Sequence, residues 1–528
     1  MSKQYDAIVI GGGHNGLTTA AYLAKSGKKV LVVEARHVLG GAAATEEIFP
    51  GFKYNTCAIQ CDWLSDSVVR DLDLVKHGLE FLPRSSAAFA PMPDGRYLIL
   101  HDEVEKAQKE IEKFSRKDAK KYPEYMDFVE RLSGFVSPLI GAPAPDIADT
   151  SFSSTWGLLR TALRFRRLGK NDMYELMRLT TMSISDYLDE WFESDVVKAV
   201  IASLISGGPM LGPKSPGSAF FLLGYHTAVE WSGFPRGGIG AISEAIARSA
   251  RSYGAEIRTE APVARIIVKN GATAGVALES GEEISGKIVA ASTDLHRTFL
   301  KLLDPSSLDP KFLWHVRNFR MNGASAKINL ALSELPNFTC LPGDGPHLRG
   351  YMTGTHSMEH WERAYDDAKY GRFPRTPCFD LAIPSLLDPS LAPEGKYVAD
   401  LFVQNTPYHL KEGNWNDRRE ELGDLVIEAL SKYAPNVKKA ILHRQVLTPL
   451  DLETVYGLTA GDICHGEITL DQDLSMRPVP GWAHYRMPVR NLYLCGSSAH
   501  PGGGISSVPG RLAALQILKD WSRGIAAA

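Results

Sequence analysis

Tyr5-Asp6-Ala7-Ile8-Val9-Ile10-Gly11-Gly12-Gly13-His14-Asn15-Gly16 follows a short polar lead, and the rest of the sequence can be placed around it. Its first half is apolar and β-branched without alternation, the pattern of a parallel strand buried on both faces. Its second half is glycine-rich, and the Ala- and Leu-rich run from Leu17 to Lys25 predicts a helix. Gly27 breaks that helix, and Lys29 to Val33 predicts a second strand ending at Glu34. Strand, G-x-G-x-x-G, helix, strand and acidic residue fall within about thirty residues, as in a dinucleotide-binding βαβ unit. Gly11 permits the tight turn, Gly13 lets backbone approach a pyrophosphate, and Gly16 packs helix against strand. Asn15 belongs to the same candidate cradle. The helix N-terminus offers N–H groups and the positive end of its dipole to phosphate. Glu34 can accept hydrogen bonds from a ribose diol and would repel a 2′-phosphate.

Three further stretches refine this reading. Glu34 is followed by Ala35-Arg36-His37-Val38-Leu39-Gly40-Gly41, an Arg and a Gly doublet that can close more backbone against a pyrophosphate. Phe234-Pro235-Arg236-Gly237-Gly238-Ile239-Gly240 leads a predicted helix, Ala241 to Ser252, and a strand at Pro262 to Ile266 that contains Val263. Near the C-terminus, Asn491 to Gly496 predicts a strand. The loop Ser497-Ser498-Ala499-His500-Pro501-Gly502-Gly503-Gly504 follows, then a helix from about Gly510. Together these resemble the carotenoid desaturase- and isomerase-like branch of the FAD amine-oxidase superfamily. Gly461-Asp462-Ile463-Cys464-His465-Gly466-Glu467 and Leu494 to Gly504 are closest to a group named for a pyridine nucleotide-disulphide oxidoreductase domain.

The resemblance implies an α/β fold, a discontinuous Rossmann-like FAD-binding domain plus an α+β substrate domain. It implies non-covalent FAD held by Gly11, Gly13, Asn15, Gly16, Glu34, Arg36, Gly40, Gly41, Val263, Gly496, Gly503 and Gly504. The FAD-binding domain is expected at residues 1–80, 225–305 and 460–528. The substrate domain is expected at 81–224, mostly helical, and at 306–459, with strands at Ala326 to Leu332 and Tyr397 to Gln404 and a helix near Arg418 to Tyr433.

Composition sets limits. The chain has 528 residues, 44% hydrophobic and 23% charged, the balance of an ordinary globular protein with room for two domains. A formal net charge of −3 gives no reason to expect nucleic acid. No run of apolar residues reaches transmembrane length and Met1 to Gln4 is no signal peptide, so a cytoplasmic location is expected. Disulfide chemistry, which the group's name suggests, finds no support. Of six cysteines only Cys57 and Cys61 are close, at C-x-x-x-C spacing, and both are expected to serve as small apolar residues. No second dinucleotide fingerprint follows a strand, and no Cys/His pairs stand at metal-ligand spacing.

Residues 156–170 read as a basic amphipathic helix, with Arg160, Arg164 and Arg167 opposite Leu158, Ala162 and Phe165. Such a helix can lie peripherally on an anionic membrane, or it can be a surface helix with solvated arginines. Two residues are candidates for chemistry. Lys327, in Gly323-Ala324-Ser325-Ala326-Lys327-Ile328-Asn329-Leu330, resembles the lysine by which amine oxidases hold a water at flavin N5. The alternative is a solvated lysine on an edge strand. His500 could polarise the flavin ring or shuttle a proton, or it could bond backbone. The leading function is an FAD-dependent oxidoreductase taking hydride from a C–H bond of a small, mostly apolar molecule, with oxygen or quinone as acceptor. A redox-neutral polyene isomerase and a regulatory flavoprotein with a protein partner are the alternatives.

Overall fold

A computed structural model describes residues 4–84, 86–146, 152–205, 210–226 and 231–526. Tyr5–Ile10 lies inside a seven-stranded sheet ordered Glu256–Arg258, Val30–Val33, Tyr5–Ile10, Glu283–Ala291, Ala272–Leu278 and Val263–Lys269, with Leu492–Leu494 also paired to Glu283–Ala291. The strands around Tyr5–Ile10 run parallel, and Val263 to Ala291 folds as an antiparallel meander. The unalternated apolar pattern has the expected consequence, since every residue of Tyr5–Ile10 but Asp6 is buried. Helix His14–Lys25 is buried along its length except at Lys25, because helices Gly240–Ser252 and Val508–Ser522 flank it. Segments from both ends and the middle of the chain thus share one sheet.

The second sheet runs Ile441–Leu447, Ser325–Leu332, Tyr397–Gln404, Phe379–Ala382, Met352–Thr353, Ala88–Pro91 and Tyr97–Leu100. It is antiparallel except where Met352 pairs with Phe89. Ser325–Leu332 is therefore an interior strand paired on both sides, which corrects the edge-strand alternative for Lys327. Residues 81–224, expected to be mostly helical, also supply Ala88–Pro91 and Tyr97–Leu100, which form a hairpin of this sheet. Its turn, Met92-Pro93-Asp94-Gly95, carries an Asp-Gly signal, with Gly95 at φ +82°. The rest of the insert is led by Arg116–Ile140, a 25-residue helix that includes two prolines. Ser115 caps it by accepting from the Asp118 N–H, and Tyr122, Tyr125, Val129 and Leu132 are buried along it. Among the described residues no helix is long and apolar enough to cross a membrane.

Candidate functional site

The glycines of the first loop divide into two kinds. Gly11 adopts φ +98°, and its N–H donates to Val33 O at 2.8 Å. A Cβ on Gly16 would stand 2.1 Å from Gly11 O, so both residues are required by the protein itself. Gly13 is different: its φ of −70° suits any residue, and a Cβ there would meet nothing closer than Gly40 O at 3.8 Å. Beside it stands Gly41, at φ +57°, whose added Cβ would come 3.6 Å from Gly13 Cα, so the two loops pack backbone to backbone. Gly40 closes the second loop on the first, donating to Gly12 O at 2.9 Å, and a Cβ on it would clash with Ala43 O at 2.3 Å. The two loops therefore enclose a cleft that Cβ atoms would fill, beside a helix with no side-chain cap. A pyrophosphate fits that description.

Glu34 stands at one end of the cleft and is nearly buried. Its carboxylate accepts from Gly12 N at 2.6 Å and Arg36 N at 2.9 Å, which fixes its direction and leaves lone pairs for a diol. Ala261 N donates to Glu34 O at 2.8 Å and Glu260 N to Arg36 O at 3.1 Å, bringing the half-buried Val263 to the same end. Arg36 pairs with Glu46 at 2.9 Å and lies 4.5 Å from the Tyr456 ring centre. Its Nη1 is buried with no acceptor among the described residues, as expected of a cation awaiting an anion.

At the other end the C-terminal loop is packed tightly against the protein. A Cβ on Gly496 would lie 2.4 Å from Ser292 O, one on Gly503 2.6 Å from Cys464 Sγ, and one on Gly504 2.6 Å from the Trp63 ring. Asn15 joins the two chain ends, donating to Ser497 Oγ at 3.1 Å and accepting from Gly510 N at 3.4 Å. Val508–Ser522 then starts without a side-chain cap, and the Ser507 hydroxyl before it is buried without a partner among the described residues. Its dipole favours negative charge at that end.

Sequence reasoning passed over three residues that the fold brings to this region. The buried His14 ring lies against Gly504, and burial, with His465 beside it, pushes its pKa down to about 4. Arg477 is 1% exposed, yet no carboxylate among the described residues lies within ion-pair distance. It donates instead to carbonyls, including Ser497 O at 2.8 Å, Cys464 O at 2.9 Å and Glu467 O at 3.2 Å, tying the 461–467 segment beneath the glycine loop. Asn55, the third, joins the second sheet to the start of helix Gly240–Ser252. Its Oδ1 accepts from Ile239 N at 2.8 Å, its Nδ2 donates to Asp400 at 2.9 Å, and its backbone carbonyl accepts from Lys327 at 2.6 Å.

Lys327 is thus part of a joint. Its ammonium is 1% exposed and also donates to Asn329 Oδ1 at 2.6 Å, with Asp400 Oδ1 at 3.2 Å. Burial lowers the lysine pKa and raises that of Asp400, each opposed by the partner's charge. Three protein oxygens surround the three N–H donors. His500 is fully buried, and its Nε2 faces Leu139 O at 3.1 Å and Ala142 O at 3.0 Å, at the end of helix Arg116–Ile140. Two carbonyl acceptors place the proton on Nε2, and burial holds the ring's pKa below its usual value. The geometry ties the C-terminal glycine loop to the end of helix Arg116–Ile140 through this ring. All six cysteines are free. Cys57 lies among Leu447, Leu452 and Leu458 and Cys61 lies in the main core, and burial pushes both thiols up to about 12.

Among protein families, the one described as flavin containing amine oxidoreductase matches residues 16–510. Pyridine nucleotide-disulfide oxidoreductase domain-containing protein 2 of Rattus norvegicus is 40% identical over 98% of this chain and 94% of its own length. A limonene dehydrogenase component of Castellaniella defragrans is 29% identical over 99% of this chain and 96% of its own. Among solved structures, an oxidoreductase from Methanosarcina mazei shares the fold. Its TM-score is 0.62 at 17% identity, covering 98% of this chain and 100% of that one.

Proposed function

The chain belongs to the flavin containing amine oxidoreductase family, and from that premise we propose that it takes hydride from a C–H bond of a small, mostly apolar molecule. It is an FAD-binding oxidoreductase, and the cleft beside Gly13 and Gly41 suits that cofactor. FAD supplies the hydride acceptor when bound. The chain's own groups would orient it: Glu34 would address the ribose, Arg36 Nη1 an anionic oxygen, and the uncapped helix at Ser507 the edge where negative charge gathers on reduction.

One observation carries the apolar reading. Ile59, Phe234 and Tyr351 meet Ala382 and Phe402 of the second sheet in one cluster, with Ile463 packed against it. Phe234 stacks on Tyr351 at 5.4 Å. Ile463 precedes Cys464, which touches Gly503, so the cluster borders the flavin loop. An apolar surface there positions a C–H bond and excludes water. The Castellaniella defragrans relative is named for a hydrocarbon, limonene, which supports the same class of substrate here. Lys327 and His500 act in this reading as positioning residues, because protein oxygens already surround the ammonium and two carbonyls accept from the ring. Oxygen or a quinone is the acceptor.

Anaerobic screening of metabolites for loss of flavin absorbance tests this. The expected result is bleaching by apolar compounds and a product two hydrogens lighter. Double-bond isomerisation without net electron transfer would overturn the reading, as would bleaching confined to hydrophilic substrates.

A further inference from the structure

Helix Phe152–Arg167 stands apart from every other long helix, because none of its described side chains is buried. It rests on the protein through Leu158, Thr161 and Phe165, which are half-buried, and Phe165 meets Phe135 at 5.7 Å between ring centres. The apolar face read from the sequence is thus already in use. The outward face is not polar either. Trp156, Leu159 and Leu163, at i, i+3 and i+7, are 52%, 46% and 46% exposed. At 3.6 residues per turn Arg160, Arg164 and Arg167 line one flank of that stripe and Arg166 the other. Helix Lys170–Leu179 follows and adds exposed Tyr174 and Met177. Between the two helices Leu159, Ala162, Leu163, Phe165 and Met173 line an open groove of ≈ 730 Å³.

The charge on this face has one sign. Residues 152–170 contain no carboxylate, in a protein whose formal net charge is −3. On the C-terminal side of the helix the acidic residues are already engaged, Asp172 with Arg131 at 2.5 Å and Glu175 with Arg178 at 2.8 Å. None of the five cations Arg160, Arg164, Arg166, Arg167 and Lys170 has a carboxylate at ion-pair distance among the described residues. A second copy of this face would bring cation against cation across a two-fold axis. The partner must be apolar at its centre and anionic over a wide area.

We propose that the outward face of Phe152–Arg167 docks on an anionic lipid bilayer. Trp156, Leu159 and Leu163 enter the headgroup boundary while the arginines reach sideways to lipid phosphates and carboxylates. Each basic residue near such a surface strengthens binding about fivefold, so the face acts as a sum of small contributions. This is independent of how the reaction is read, since it concerns residues away from the flavin cleft.

Vesicle flotation of the FAD-loaded full-length protein tests it, with phosphatidylcholine vesicles with and without phosphatidylserine. Binding is expected only with phosphatidylserine, weakening as salt rises. Arg160→Glu/Arg164→Glu and Trp156→Ser/Leu163→Ser should each lower the partition at least about tenfold with unchanged FAD content and thermal midpoint. No flotation of wild-type holoprotein overturns the proposal, and so does binding that either double variant retains. Retention by the Trp156→Ser/Leu163→Ser variant of heparin-displaceable binding would assign the face to a soluble polyanion and overturn it equally.

Discussion

Gly13 and Gly16 are both glycines of one fingerprint, but substitution should separate them. Gly13→Val places its side chain in the cleft beside Gly41, where the backbone conformation is ordinary and an added Cβ meets only Gly40 O, at an unstrained 3.8 Å. The variant should fold, keep its circular dichroism and purify without yellow colour. Full FAD retention would mean that the pyrophosphate lies elsewhere. Gly16→Val should fail differently, because even a Cβ meets Gly11 O at 2.1 Å and the strand–helix unit cannot close. His14 gives a pH signature. Its ring titrates near 4 when folded, against a reference of 6.5, so the unfolded chain binds the proton more readily. Stability is fully present above pH 6.5 and is lost as pH falls towards 4, by about 3 kcal/mol for this one group. His14→Gln should flatten denaturant-derived stability across that window by about the same amount. An unchanged slope would place the proton uptake on other residues. Neither His14 nor Arg477 was legible in the sequence. Each is chemically silent until the chain's distant segments fold together, Gly504 onto the ring and Ser497 O onto the guanidinium.

Elements are where local reading reaches furthest and then stops. Strand Tyr5–Ile10, its loop and its helix could be read in advance because every residue that defines them lies within one βαβ unit. Strand Tyr397–Gln404 was legible from its apolar β-branched run, and Ser325–Leu332 was legible as a strand but not in its place in the sheet. A strand with one cation reads as an edge strand, and what makes it interior is Gln445, Arg444 and their neighbours pairing from more than a hundred residues away. Lys327 belongs to that lesson. Its ammonium holds Asn55 O, Asn329 and Asp400 where strand Phe52–Asn55 meets the second sheet. Lys327→Met leaves Asp400 buried with Asn55 Nδ2 as its donor, and removing one partner of a buried pair costs about 3–5 kcal/mol. The expected result is a lower thermal midpoint, partly restored in Lys327→Met/Asp400→Asn, with reoxidation by oxygen unchanged in molecules that keep FAD. A drop in the reoxidation rate of about tenfold at unaltered stability would instead put the ammonium beside the flavin. The hairpin Ala88–Leu100 lies in the part of the chain expected to be mostly helical, and Pro93-Asp94-Gly95 is the turn signal by which it could be read from the sequence.

At the scale of the molecule, Asn55 and the apolar cluster of Phe234, Tyr351 and Phe402 tie the second sheet to the segments beside it, and the flavin loop is tied down from three sides. Arg477 holds it from below, Asn15 from the nucleotide helix and His500 from the helical lobe. Electrons must enter and leave through what this framework leaves accessible. The sequence carries one dinucleotide fingerprint, and the fold uses it to open the first sheet, with Gly13 and Gly41 beside each other at a single cleft. The six thiols are unpaired, and burial pushes those of Cys57, Cys61, Cys464 and Cys495 up to about 12. At neutral pH these four are protonated, and a thiol attacks a disulfide only as its thiolate. NADPH should therefore reduce the flavin slowly and without saturation. Dithiothreitol should not support turnover, and a disulfide substrate should not be reduced. Stopped-flow mixing of oxidised holoprotein with NADPH under nitrogen, followed by reduced holoprotein with oxygen and with a soluble quinone, decides the matter. Fast flavin reoxidation by one of the two acceptors is expected. Stoichiometric bleaching by NADPH within the enzyme's turnover time would show that a second nucleotide reaches the ring by a route the single cleft does not provide.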